Sequence, residues 1–307
     1  MLLNLLLLLI GFGLLTYGAD KFIDGASAIA RRFHIPEIVI GLTIVAMGTS
    51  LSEASVSIVS VLQGANGVAV GNILGSNIAN IWLVLGLTAT ISALTIQKNT
   101  IRYEIPFVCF ITLLLICIGF SAGVISRLSA SILVGLFILF LFYLRKIGMK
   151  DIQTEINTEI MSGWKTLLFI VFGIAAVIYG SNLIVDSAVN IARGMNISER
   201  VIGLTVIAFG TSLPELVTCV VAVLKKRSDL AVGNIIGSNI VNILFVLGIT
   251  GLIKPIPFEP TFVKDGIIAL LAAMMLWLFA IQKHKLSRTA GVVFLIFYFV
   301  YLAFLFV

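Results

Sequence analysis

The sequence predicts an all-α polytopic membrane protein of ten transmembrane helices, arranged as two inverted five-helix repeats. Three observations lead there. Sixty per cent of the 307 residues are apolar and only 11% are charged, about half the charge usual in a soluble domain. Apolar stretches of roughly 20 residues, the length that crosses a bilayer as a helix, recur from one end to the other. Adding 162 to a residue number carries the first half onto the second without a gap. No stretch alternates apolar and polar with a period of two, which argues against a transmembrane β-barrel.

The spans follow in order. The opening "MLLNLLLLLIGFGLL" has the apolar core of a signal peptide but no basic n-region, and its counterpart lies deep in the chain. It is read as a retained helix over 2–30. Spans at 36–62, 67–93, 103–122 and 126–146 complete a first repeat, 1–147. The only sustained polar stretch, "RKIGMKDIQTEINTEIMSGWK", holds the inter-repeat loop, 148–162. The second repeat, 163–307, places spans at 163–193, 198–224, 229–252, 262–281 and 288–306.

The duplication rests on polar and small residues rather than on shared greasiness. "GLTIVAMGTSLSE" (41–53) matches "GLTVIAFGTSLPE" (203–215) at 9 of 13 positions, and "AVGNILGSNIANI" (69–81) matches "AVGNIIGSNIVNI" (231–243) at 11 of 13. Five spans is an odd number, so the second copy enters the membrane from the opposite face, an arrangement of secondary transporters. Fourteen Lys and Arg residues fall in one set of loops and five in the other, with Lys21 left inside the first helix. Basic loops stay cytoplasmic, which puts both termini outside a cell (cytoplasmic) membrane.

Some ionisable and reactive residues read as structural. Cys109, Cys117 and Cys219 lie in spans with no metal-ligand spacing and serve as small apolar packing residues. His34 and His284 fall at helix ends, at the surface or interface. Asp24 and Asp186 lie near the membrane boundary, close in sequence to Lys21 and to Arg31 or Arg193. Glu37 and Glu199 open spans, where a carboxylate favours the helix N-terminus. The loop acids Asp151, Glu155 and Glu159 are read as solvated, with regulatory cation binding as the alternative.

Glu53 and Glu215 are different. Each sits deep in a membrane-length segment without a Lys or Arg in that span. A carboxylate at the bilayer centre costs roughly 3 kcal/mol on insertion scales, which makes such a residue a functional candidate. The missing positive charge is supplied by bound cations or protons. Thr49, Ser50, Thr211 and Ser212 stand just before the glutamates. Gly48, Gly210 and Pro214 loosen the helix there, so that carbonyls of Ala46 and Ala208 can face a cavity. On the next span of each half, Ser76 and Asn80, and Ser238 and Asn242, share a face at i, i+4 spacing. This is an oxygen-only ligand set with two negative charges. It suits Ca²⁺, Na⁺ or H⁺ and not zinc or copper. The glycines also permit close helix packing, and Asn72, Asn77, Asn234 and Asn239 are equally suited to hydrogen bonding between helices.

"GTSLPE" paired with "GNIIGSNIVN", repeated in inverted halves, resembles the calcium/cation antiporter superfamily, specifically the prokaryotic sodium/calcium exchangers. The resemblance covers the whole chain. It implies that spans 2, 3, 7 and 8 form a core around four clustered cation sites, and that the long spans 1 and 6 slide across it. It also implies the ligand set named above. Two departures stand out: Ser52 replaces the proline usual in the family, and Asn242 stands where several sodium/calcium exchangers have aspartate.

Two glutamates balance one Ca²⁺, two Na⁺ or two H⁺. The expected function is exchange of Ca²⁺ for Na⁺ by alternating access, with proton coupling as the alternative and a cation channel as a more distant one. The expected partners are small inorganic cations and the lipid bilayer, with the chain acting as a monomer, no nucleic acid and no cofactor. An enzyme is not expected, because neither motif holds a membrane-buried His or Lys base to activate a serine.

Overall fold

The computed structural model describes residues 2–64, 66–148, 161–195 and 208–305. Most of the inter-repeat loop, the start of the span expected at 198–224, and the residues Lys150, Asp151, Glu155, Glu159, Glu199, Arg200 and Gly203 lie outside the described residues. The described chain is almost entirely helical. Helix α1 spans Leu2–Arg32; α2 (Glu37–Thr49) and α3 (Leu51–Leu62) meet at a 44° bend. Next come α4 (Gly67–Ile91), α5 (Thr100–Ala122), α6 (Arg127–Gly148) and α7 (Gly163–Gly194). The short α8 (Ala208–Thr211) leads into α9 (Leu213–Leu224), followed by α10 (Ser228–Ile253), α11 (Pro260–Gln282) and α12 (Arg288–Phe304).

Seven described helices, α1, α4, α5, α6, α7, α10 and α11, are long and apolar enough to cross a bilayer. The bent pair α2–α3 qualifies as one broken span, and α9 and α12 are shorter apolar helices. The fold is an all-α polytopic membrane fold. Helices α4 and α10 are its centre: 78% and 83% of their most apolar windows are buried inside the protein, against 22–33% for the other long helices. The outer helices turn Leu, Phe and Ile outward, as lipid requires, whereas α4 and α10 are packed all round.

Helices α1 and α7 pack along their lengths and run antiparallel. Gly11 faces Gly180 and Ile184, Gly18 faces Gly173 and Val177, and Gly25 faces Phe169 and Ile170. The seven-residue glycine spacing on both helices brings backbone against backbone, as small residues do in membrane helix pairs.

Among the described residues, four two-residue strands tie the halves together. β1 (Leu94–Thr95) pairs antiparallel with β4 (Lys285–Leu286), and β2 (Val124–Ile125) with β3 (Ile256–Pro257). Adding 162 carries β1 onto β3 and β2 to within one residue of β4. Because β1 precedes α5 and β2 follows it, β1 and its repeat counterpart β3 sit at opposite ends of that helix.

Both histidines end helices in the left-handed conformation, His34 after α1 and His284 after α11, each at φ 53°. The Ile35 N–H then reaches back to the Ala30 carbonyl, closing the turn as a Schellman motif does. Asp24 takes its ion-pair partner from elsewhere than the Lys21 and Arg31 that lie near it in sequence. Asp24 binds Lys225 at 2.6 Å, Lys225 also reaches Asp20 at 2.7 Å, and Lys21 turns to Asp20 at 3.0 Å. The cation comes from the other half, where the end of α9 packs on α1, a proximity that sequence distance conceals. Glu37 opens α2 as expected and also meets Arg227 at 2.7 Å. Cys219 is buried, Cys109 partly so, and Cys117 is exposed.

Candidate cation site

The two GTS-x-x-E segments break their helices at equivalent residues. Ser50 leaves helical geometry at φ −76°, ψ 7°, and Ser212 does so at φ −91°, ψ 2°. Each break ends one helix and starts another, exposing carbonyls on one side and N–H groups on the other. Glu53 and Glu215 fall in the first turns of α3 and α9, where the positive end of the helix dipole favours a carboxylate. Pro214 sits in the first turn of α9, where it costs no helical hydrogen bond.

Both glutamates are wholly buried, and neither makes an ion pair among the described residues. The breaks bring the halves together. Ser50 Oγ donates to Glu215 Oε1 at 3.5 Å. Ser52 Oγ lies 2.9 Å from Glu53 Oε2 and 3.0 Å from the Thr49 carbonyl. Thr49 Oγ1 lies 3.1 Å from Asn234 Oδ1 and 3.4 Å from Ser238 Oγ. Ser76, on α4, lies against the Glu53 carboxylate. Asn80 and Asn242 are buried one turn beyond Ser76 and Ser238, where α4 and α10 widen into π-helix at Ala79–Leu85 and Val241–Val246. Such bulges concentrate at functional sites.

Five buried oxygens of this cluster have no hydrogen-bond partner among the described residues: Glu53 Oε1, Glu215 Oε2, Asn80 Oδ1, Asn242 Oδ1 and Ser212 Oγ. Buried polar atoms are normally paired. Here the orphans include two carboxylate and two amide oxygens, acceptors only, which is the inventory of a hard-cation site. No group of three or more His, Cys, Asp or Glu side chains suited to a metal occurs among the described residues, so the site's fixed charge comes from the two glutamates.

One expected ligand stands differently. The Ala46 carbonyl, expected to be freed by the break, accepts from the Ser50 N–H at 3.0 Å and the Thr49 hydroxyl at 3.3 Å. The Thr49 carbonyl, the last of α2, lies 3.0 Å from Ser52 Oγ. Ala208 begins α8, and the Thr211 carbonyl meets Ser52 Oγ at 3.4 Å. The four other asparagines of the repeat motifs serve as hydrogen-bonding residues. Asn72 donates to Ser57 Oγ and the Glu53 carbonyl, Asn234 to Cys219 Sγ, and Asn77 and Asn239 bind each other's backbone.

Ser52 is a site residue that sequence reasoning passed over, since it drew attention only as a missing proline. Its hydroxyl is part of the Glu53 environment, and hydrogen bonds to charged groups contribute about 1.5–3 kcal/mol. Ser52→Ala is therefore expected to lower stability in ion-free detergent by about that amount, read by thermal unfolding. An unchanged melting curve would make Ser52 a bystander.

A cavity of about 230 Å³ opens beside the first break, lined by Met47, Gly48, Ser50, Leu51, Ile174 and Phe245 among others. It brings α7 to the edge of the site. At the second break Ser181 of α7 donates to the Gly210 carbonyl at 3.1 Å.

The profile described as sodium/calcium exchanger protein matches residues 3–146 and 165–307. The chain is 37% identical to the inner membrane protein YrbG of Escherichia coli (strain K12), over 95% of this chain and 92% of that one. It is 31% identical to the sodium/calcium exchanger MaX1 of Methanosarcina acetivorans, over 99% and 98%. Among solved structures it superimposes on the sodium-calcium exchanger NCX_Mj soaked with Na⁺ and Sr²⁺, with a TM-score of 0.87 at 35% identity and 98% of both chains covered.

Proposed function

The chain belongs to the sodium/calcium exchanger family, and from that membership we propose that it exchanges Ca²⁺ for Na⁺ across the cytoplasmic membrane by alternating access. The observation that carries the reading is the meeting of two wholly buried, unpaired glutamates at equivalent helix breaks. The proposed ligands are Glu53 and Glu215 with Thr49, Ser50, Thr211, Ser212, Ser76, Ser238, Asn80 and Asn242. The Ala46 and Ala208 carbonyls complete the set, Ala46 once Thr49 turns its hydroxyl away.

Electrostatics makes the exchange obligatory. Two bare carboxylates cannot cross a dry barrier cheaply. Filled with one Ca²⁺, or with Na⁺, the same site is neutralised and the transition is allowed. Ca²⁺ and Na⁺ thus compete for the glutamates, and each leaves only when the other replaces it. The antiparallel packing of α1 on α7 supports a pair of helices that slides across the core.

Ten spans in two inverted repeats account best for the geometry. The strand pairs support the inversion, because repeat-equivalent loops lie at opposite ends of α5. Contacts between the halves support the sidedness of the spans: Arg227 to Glu37 and Gln97 to Asp229 each join segments assigned to one face, and the excess of Lys and Arg in the loops of that face is the support for termini outside. We take the monomer as the functional unit, as one chain supplies every ligand.

Sodium coupling is favoured by the relatives whose names carry it, MaX1 and NCX_Mj. Proton coupling is the second reading, favoured by Asn242: two carboxylates match two protons as well as one Ca²⁺. Calcium uptake into proteoliposomes separates them. An outward Na⁺ gradient is expected to drive uptake that survives collapse of the pH gradient. Uptake driven by protons alone would sink the sodium reading, and uptake without stimulation by ions on the opposite side would mark a channel.

A further inference from the structure

Asn77 and Asn239 form a reciprocal cross-link between α4 and α10. Asn77 Nδ2 donates to the Asn239 carbonyl at 3.3 Å, and Asn239 Nδ2 to the Asn77 carbonyl at 3.3 Å. A backbone carbonyl only accepts, so the orientation of each amide is determined: nitrogen toward the opposite backbone, oxygen away from it. Those oxygens then receive the neighbouring amides. Asn80 Nδ2 donates to Asn239 Oδ1 at 3.0 Å, and Asn242 Nδ2 to Asn77 Oδ1 at 3.1 Å. With their nitrogens tied, Asn80 and Asn242 each have one oxygen left, buried and without a partner among the described residues.

We propose that Asn77 and Asn239 are positioning residues that hold the Asn80 and Asn242 oxygens toward the ions, keep both ligands neutral and leave the fixed charge of the site to Glu53 and Glu215. The inference rests on the cation-site reading above and extends it to residues that touch no ion. The lock discriminates amide from acid. A carboxylate at position 242 has no N–H for Asn77 Oδ1, so two acceptors would face each other. Turning the Asn77 amide over to supply a donor would break its bond to the Asn239 carbonyl. The network is thus built for asparagine at positions 80 and 242, and it is two-fold symmetric because both halves carry the same residues.

The test uses the whole chain. In proteoliposome flux, Asn77→Ala and Asn239→Ala are expected to raise the half-saturating Ca²⁺ concentration about 10–100-fold, the usual cost of losing an outer partner of a metal ligand. The losses should be specific in pairs. On an Asn242→Ala background Asn77→Ala should cost little more, because the amide it orients is gone, whereas on Asn80→Ala it should cost its full amount. A merely structural asparagine would lower the melting temperature without that pattern. Wild-type half-saturation in both single variants, or the same loss on both backgrounds, overturns the lock.

Should the alanine variants fail to fold, Asn242→Asp keeps the shape of the side chain. The lock predicts that this added carboxylate brings no gain in Ca²⁺ affinity, because Asn77 Oδ1 pushes it out of position; tighter binding overturns the proposal. The thermal shift produced by Ca²⁺ alone, and by Na⁺ alone, in detergent separates this inference from the one beneath it. A wild type that is stabilised by Ca²⁺ but does not exchange it sinks the antiporter reading, while the variants' shifts still decide the lock. A wild type that neither ion stabilises overturns both.

Discussion

Glu53→Gln and Glu215→Gln are each expected to abolish calcium exchange while leaving a folded protein. The substitution keeps shape and volume and removes one of two charges, so the site that neutralised one Ca²⁺ no longer does. Removing one partner of a buried charge pair costs about 3–5 kcal/mol, and every 1.4 kcal/mol is tenfold in affinity. The loss of Ca²⁺ binding is therefore at least about hundredfold. Stability moves the other way. In ion-free buffer the wild type buries two acidic side chains with no cation opposite them, at a desolvation cost that glutamine lowers for one of them. The variants are expected to melt no lower than the wild type without ions, and to lose the stabilisation that Ca²⁺ confers. For the wild type at a hundredfold excess over Kd, that stabilisation is about 2.7 kcal/mol. Two measurements check it: flux in proteoliposomes and melting in detergent with and without Ca²⁺. Robust exchange by either variant would falsify the assignment of the glutamates, and a large fall in the ion-free melting temperature would instead make them structural.

Much of this was legible because a membrane constrains a sequence more tightly than water does. Backbone polar groups have no solvent to turn to, so apolar length alone located helices such as α4 and α5 to within a few residues of their ends. The 162-residue offset made the polar exceptions conspicuous, since Glu53 and Glu215 occur in register within otherwise apolar runs. The breaks at Ser50 and Ser212 fall where the GTS segments placed them.

The rest was hidden where it depended on contacts between the halves. Lys225 finds Asp24 across 201 residues, and only the packing of α9 on α1 brings them together. The choice for Asn77 and Asn239 between ligand and hydrogen-bond donor could not be made from spacing, because both roles put asparagine on an inward face. It is decided by the backbone carbonyls opposite. Ser52 and the Ala46 carbonyl turned on local detail: helical geometry persists through Thr49, so the Ala46 carbonyl stays in its ladder, and the serine side chain folds back between the Thr49 carbonyl and the Glu53 carboxylate.

Gly233→Val is expected to eliminate exchange by pushing apart the two helices that carry the site. At the crossing of α2 and α10 the backbones touch. A Cβ on Gly233 would stand 2.7 Å from the Ile38 carbonyl oxygen and 3.0 Å from Gly41 Cα. These are backbone atoms, which cannot swing away as a side chain can. Valine adds two further methyl groups, and overpacking of this kind costs about 3 kcal/mol when neighbours cannot yield. The displacement would be felt directly at the ligands. Asn234, the next residue, accepts from Thr49, and Ser238 lies a little over one turn further along the same helix, 3.4 Å from that threonine. Separating α10 from α2 therefore separates Ser238 and Asn242 from Thr49 and Glu53 even in molecules that remain folded. Gly135→Val on α6 is the control, since nothing described lies within 4 Å of the Cβ it would add. It makes the same change in a membrane helix and should leave flux near that of the wild type. The comparison requires both variants to be extracted and reconstituted at equal density, with flux and the Ca²⁺-dependent melting shift measured on each. If Gly233→Val retained both, the close approach of α2 and α10 would be a packing convenience, and the geometry of the cation site would have to be held by the helix breaks alone.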